Sequence, residues 1–126
     1  MGAEIFSVGT ELLLGQTIDT NAAFLAQKLS QLGIDCLHKT TVGDNPGRLI
    51  AALQHSLGRS DIIIATGGLG PSEDDITAAA VAQALEVTLR IDKASVRAIK
   101  RKLAERGIPQ LPSHLKQAQI PRGSRA

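Results

Sequence analysis

One run constrains this chain more than any other: Asp61-Ile-Ile-Ile-Ala-Thr66, followed by Gly67-Gly-Leu-Gly70. Its apolar residues are consecutive, without polar alternation, which predicts a strand covered on both faces. Parallel sheets in α/β proteins carry that pattern, because their crossover connections lay helices on both sides. The flanking segments agree. Glu4–Val8 is a short β-rich run ended by Gly9, and Ile34–Val42 reads as another strand. Between the strands, apolar residues recur at helical spacing. They are Ala22, Leu25, Ala26, Leu29 and Leu32, then Leu49, Ile50, Leu53 and Leu57, then Ala78, Val81, Ala82 and Leu85. Asp19 or Thr20 is the expected N-cap of the first helix, with Gly33 as its stop, and Gly58 is expected to stop the second. Val87–Ile91 is a candidate short extended piece. Val96, Ile99 and Leu103 mark a fourth helix ending near Gly107, and 108–126 has three prolines and no clear period. The order predicts one α/β domain with an open, mostly parallel sheet and helices on both faces.

Composition removes several function classes. Phe6 and Phe24 are the only aromatics, both in segments that read as core, so the stacking platforms of single-strand nucleic-acid binders are missing. One cysteine, Cys36, excludes an internal disulfide, and with three scattered histidines it makes no zinc site. Cys36 reads as a small buried apolar residue, and His38 and His55 as structural. No apolar run is long enough to span a bilayer. Met1–Val8 contains Glu4 and no basic n-region, so the expected location is cytoplasmic. The net charge of +2 conceals an acidic body up to Leu89 and a basic remainder. Lys93, Arg97, Lys100, Arg101, Lys102 and Arg106 lie off the Val96-Ile99-Leu103 stripe. They read as the solvated face of an amphipathic helix rather than a nucleic-acid site.

Ligands of such sheets bind beyond the carboxyl ends of the strands, where the three strand-to-helix loops should converge. The first loop, Gly9-Thr-Glu-Leu-Leu-Leu-Gly15 with Asp19-Thr-Asn21, offers Gly9, Thr10, Glu11, Asp19 and Asn21; its triplet Leu12–Leu14 is expected to pack inward. The second, Val42-Gly-Asp-Asn45, offers Asp44. The third, Thr66-Gly-Gly-Leu-Gly-Pro-Ser-Glu-Asp-Asp-Ile-Thr77, offers Thr66, Gly67, Gly68, Gly70, Ser72, Asp74, Asp75 and Thr77. Glycines let backbone N–H groups approach an anion, although the spacing matches neither a P-loop nor a dinucleotide fingerprint. A turn with Asp74 or Asp75 capping the next helix accounts for the third loop equally well. Asp19 and Asp44 also read, singly, as a cap and a turn residue. Convergence favours the ligand reading: carboxylates from separate loops can hold Mg²⁺ against phosphates.

With Lys116-Gln-Ala118, Pro121 and Gly123 added, these motifs run in order from near residue 4 to near residue 123. The chain resembles the molybdopterin-binding domain family of the molybdenum cofactor biosynthesis type. In particular, it is similar to the amino-terminal domain of CinA-like competence/damage-inducible proteins. The resemblance implies a three-layer α/β/α fold, commonly self-associated, with Asp44 and Asp75 as the functional acids and Lys116 near an anionic ligand. Relatives adenylylate molybdopterin with Mg-ATP, whereas CinA-like domains are linked to metal-dependent ADP-ribose pyrophosphate hydrolysis.

The chain departs from the family pattern at Ser113-His-Leu115, where Asn is usual, and at Glu86, where a helix-ending glycine is usual. It is also expected to lack the family's final strand, the following Gly-Thr-Ala-Pro-Gly loop and the deamidase domain of longer members. The leading expectation is phosphoanhydride hydrolysis with a divalent metal (Mg²⁺, Mn²⁺ or Co²⁺) on Asp44 and Asp75. A non-catalytic nucleotide- or pterin-binding module and adenylyl transfer are the alternatives. The expected partners are that small molecule and further copies of the chain, with no nucleic acid and no membrane.

Overall fold

In the computed structural model, which describes residues 1–126, the central strand is β1, Gly2–Val8. It pairs in parallel with β2, Asp35–Val42, on one side and with β3, Ile62–Thr66, on the other. The sheet order is β2-β1-β3. Side chains alternate across β1 and supply two cores. Ala3 and Ile5 pack with Ala22 and Leu29 of α2, Thr20–Gln31. Phe6 and Val8, on the opposite face, pack with Leu49 and Leu53 of α3, Pro46–Leu57, and with Ala80 and Ala84 of α4, Thr77–Ala84. The α/β/α layering implied by the resemblance is therefore present, over a sheet of three parallel strands.

Local chemistry sets the helix starts. Asp19 caps α2 by accepting from the Ala22 N–H at 3.0 Å. Asn45 caps α3 by accepting from Arg48 at 3.0 Å, with Pro46 in the first turn, where its missing N–H costs nothing. After α2, Gly33 takes φ 71°, the left-handed turn an L-residue resists.

The Ile-rich run is covered on both faces, as its pattern predicts: Ile62 and Ile64 pack on the Ala3–Ile5 core, and Ile63 and Ala65 on the Phe6–Val8 core. Only β1 flanks β3, so each of its residues is half-buried, and its Ile63 face opens on an apolar hollow lined by Leu53, Leu57 and Leu85. The structure corrects several other expectations. The loop after β1 contains a short helix, α1, Thr10–Leu13. Leu13 and Leu14 are exposed rather than inward, and only Leu12 of the triplet is half-buried, because one helical turn can present only one side inward. Phe24 is exposed too. It stands two positions from the inward-facing Ala22, nearly opposite it around the helix, with the Lys28 ammonium 5.5 Å from its ring centroid. Of the expected Ala78-Val81-Ala82-Leu85 stripe, Ala82 is buried and Val81 packs on the core, but Leu85 is exposed; Ala80 and Ala84 also turn inward, and these small side chains admit α3 closely.

Gly58 caps α3 with φ −80°, so it does not use glycine's freedom. Cys36 is half-buried against the Ala3–Ile5 core. Past Glu86, β4 (Leu89–Ile91) pairs antiparallel with β5 (Gln119–Pro121) in a separate sheet. Between them lie α5, Lys93–Glu105, and a 3-10 segment, Pro112–Ala118, that the sequence pattern did not reveal. The basic side chains of α5 are exposed, as its stripe predicts. No helix is long and apolar enough to cross a membrane.

Candidate functional site

The three strands end together at Val8, Val42 and Thr66, and their loops are tied to one another. Gly9 N–H donates to the Val42 carbonyl at 2.9 Å. Asp44 N–H donates to Thr10 Oγ1 at 3.0 Å, and Thr10 N–H returns a long bond to Asp44 Oδ2 at 3.4 Å. The first and third loops meet where Gly67 abuts the Val8 carbonyl so closely that a Cβ would collide with it. Gly67 and Gly68 take φ 85° and 65°, and a Cβ on Gly68 would strike the Thr77 hydroxyl. The glycines at these two positions are thus required by backbone conformation and by close approach.

Asp75 does not cap α4, whose N-cap is Ile76 without a side-chain bond. It turns back into its own loop, accepting from Ser72 N–H and Oγ, both at 2.9 Å. The Ser72 backbone and hydroxyl donors, with the Lys116 charge nearby, hold the Asp75 carboxyl below the usual range against partial burial. A Cβ on Gly70 would lie 2.6 Å from Asp75 Oδ2, so Gly70 exists to admit this carboxylate.

Two cavities flank the Gly67-Gly68 ridge. The larger, about 480 Å³, is lined by Gly68, Gly70, Asp75, Thr77 and Lys116, with Ala65, Leu69, Val81 and Ile120 as apolar walls. The smaller, about 190 Å³, is lined by Glu11, Asp19, Asn21, Thr66 and Gly67. Most of the sequence-derived site residues therefore gather around one ridge. Asp44, Gly9 and Thr10 line neither cavity, and Ser72 and Asp74 lie on the exposed outer turn of the loop. Sequence reasoning missed Gln117, which donates to the Leu69 carbonyl at 3.1 Å; its place beside Lys116 was the available signal. It also missed Thr17 and Ile18, which complete the smaller cavity and carried no signal.

A second polar centre lies away from this end of the sheet. Glu4 is wholly buried, yet accepts from Arg59 Nε at 2.6 Å, Arg59 Nη2 at 2.9 Å, Ser60 Oγ at 2.5 Å and the Ser56 hydroxyl. Arg59 dominates in pulling the Glu4 carboxyl down to about 2, against the opposing effect of burial. It ties β1 to the end of α3 and the turn that follows.

Comparison with known proteins places this geometry. A CinA-like protein from Desulfovibrio desulfuricans is 52% identical over 126 residues, all of this chain but 29% of that protein. A putative competence-damage inducible protein from Caldicellulosiruptor bescii is 49% identical over 99% of the chain and 30% of its own length. The chain thus spans about 30% of the length of such relatives. The crystal structure of CinA from Thermoplasma acidophilum, described as of unknown function, superposes with a TM-score of 0.92 at 34% identity. That match covers 99% of this chain and 73% of that one. The molybdopterin biosynthesis Mog protein from Mycobacterium ulcerans matches with a TM-score of 0.62 at 26% identity, over 93% and 72% of the two chains. The family model described as "Probable molybdopterin binding domain" matches residues 4–123, and the chain belongs to that family, in its CinA-like branch.

Proposed function

We propose that this domain binds a phosphate-bearing pterin or nucleotide across the Gly67-Gly68 ridge, with the phosphate on the loop backbone and ring or sugar groups in the flanking cavities. The observation that carries this reading is the set of N–H groups on Gly67, Gly68 and Leu69, none of which donates to a protein acceptor. Successive free backbone donors at the carboxyl end of a parallel sheet form an anion site that needs no cationic side chain. The mostly apolar walls of the larger cavity suit a planar ring better than a second phosphate. The family's description as a probable molybdopterin-binding domain supports the pterin side of the choice.

A second reading, metal-dependent phosphoanhydride hydrolysis, rests on Asp44 and Asp75. No group of three or more His, Cys, Asp or Glu side chains is placed to hold a metal. Asp75 still suits Mg²⁺ in kind, because that ion is commonly held by one or two carboxylates plus substrate phosphates, whereas Asp44 is paired with Thr10 and lines neither cavity. A bound cation would offset phosphate charge and polarise a water there. Asp75 would stay ionised for that task, since Ser72 holds its carboxyl low.

The test is calorimetric titration of the whole chain with ADP-ribose, ATP, NAD and a pterin phosphate, each with Mg²⁺, Mn²⁺ or Co²⁺. Saturable binding of at least one phosphate-bearing ligand is expected, and silence across the panel refutes the proposal. Asp75→Asn preserves an acceptor for Ser72 while removing the charge. If hydrolysis occurs, this variant should bind but no longer release product; unchanged turnover excludes Asp75 from the chemistry.

A further inference from the structure

The hydrogen bonds of the Gly67–Leu69 segment are one-sided. Its three carbonyls are occupied: Gly67 accepts from Thr77 Oγ1 at 2.7 Å, Gly68 from Thr77 N–H at 3.1 Å and Leu69 from Gln117 Nε2 at 3.1 Å. The Ser72 carbonyl accepts from the Lys116 ammonium and, at 3.2 Å, from Asp75 N–H. The N–H groups of Gly67, Gly68 and Leu69 have no such partners. We infer that Gln117 and Lys116 are positioning residues, whose task is to pin the loop just beyond its free donors, at Leu69 and Ser72, so that the Gly67–Leu69 segment, oriented by Thr77, keeps its N–H groups turned toward an anionic ligand. This rests on the ligand reading above.

The reason is the peptide plane. In a trans peptide, the carbonyl of one residue and the N–H of the next point in opposite directions. Holding a carbonyl on the α4 side therefore turns the following N–H to the other side. Thr77 fixes the Gly67-Gly68 and Gly68-Leu69 units in this way. Gln117 fixes the Leu69-Gly70 unit, which also sets Gly70 against the Asp75 carboxylate. Lys116 fixes the far end at Ser72. Glycine makes the restraint necessary, because a Gly-Gly segment without such ties samples many orientations of its peptide planes. The 3-10 segment works as a strap, and Lys116 applies its charge to the loop backbone.

Gln117 is exposed, so its replacement should leave the fold intact. The test compares wild type with Gln117→Met, of similar length but without a donor, using the full chain and inorganic pyrophosphate with Mg²⁺ as the probe. Binding should weaken by roughly tenfold, with an unchanged unfolding temperature. In the absence of any ligand, amide hydrogen exchange should speed up at Gly68–Gly70 and stay unchanged in β1. Gln117→Lys, which restores a donor, should restore slow exchange at the loop. Wild-type exchange in Gln117→Met overturns the inference, as does faster exchange with unweakened pyrophosphate binding. If wild type itself does not bind pyrophosphate, the phosphate reading falls, and the exchange comparison still decides whether Gln117 orders the loop.

Discussion

Glu86 is the one non-glycine residue with positive φ, at 57°, and its replacement by glycine should make the protein more stable. Helix α4 closes with two bonds: Val87 N–H donates to the Ala82 carbonyl at 2.9 Å and Glu86 N–H to Gln83 at 3.1 Å. These are the two bonds of a Schellman motif, which places Glu86 at the left-handed position where glycine is favoured. An L-residue there crowds its Cβ against a carbonyl oxygen, at a cost of about 1–2 kcal/mol. Glycine removes that cost but loosens the unfolded chain by about 0.4–1 kcal/mol. The Glu86 side chain is exposed and makes no hydrogen bond or ion pair, so nothing else is lost. The net gain is about 1 kcal/mol, which for a domain of this size raises the unfolding temperature by roughly 3–5 °C. Calorimetry on Glu86→Gly measures it, with Glu86→Val as the opposite control, since a β-branched residue tolerates this conformation worst. A glycine variant no more stable than wild type would refute the reasoning.

Glu4→Gln should destabilise the fold by about 3 kcal/mol, the low end for breaking a buried pair, because Arg59 keeps some solvent; urea unfolding at neutral pH checks it. The same pair predicts a pH dependence. The folded carboxyl lies near 2, below its ordinary 4.5, so its stabilisation is complete above 4.5 and is lost as pH falls toward 2. Stability measured across that window should fall in wild type and lack that component in Glu4→Gln. Gly67→Ala should disorder the loop and abolish ligand binding, since it meets both a strained φ of 85° and the Val8 carbonyl; ligand titration of a variant whose far-ultraviolet dichroism is unchanged tests this.

How far the sequence reached can be seen at particular residues. The strand-helix alternation, the cap at Asp19 and the stop at Gly33 depend on local periodicity and local hydrogen bonds, so they were legible. Glu86, where the family resemblance led us to expect glycine, takes the backbone conformation that explains why glycine is usual there. The two-faced burial of β3 was legible and its place at the sheet edge was not, because an uninterrupted apolar run reports burial on two faces and not how many strands flank it. Phe24 was read as core from its segment, although it lies off the Ala22-Leu25-Ala26-Leu29 stripe, and Leu14 was misplaced because the short helix α1 gave no period long enough to set its phase.

The sequence by itself determined the fold class, and it pointed to the loops that line the candidate site and to most of the residues around its cavities. Hydrophobic period and turn chemistry are properties of neighbouring residues. Only the tertiary structure decided what those residues do to one another. It turned Asp75 back onto Ser72, gave Glu4 to Arg59, and divided the site into two cavities around the Gly67-Gly68 ridge. It also brought Gln117 onto the Leu69 carbonyl, across 48 positions of chain. Such contacts join residues far apart in the chain, and no local pattern encodes the orientation of a peptide plane held from outside its own loop.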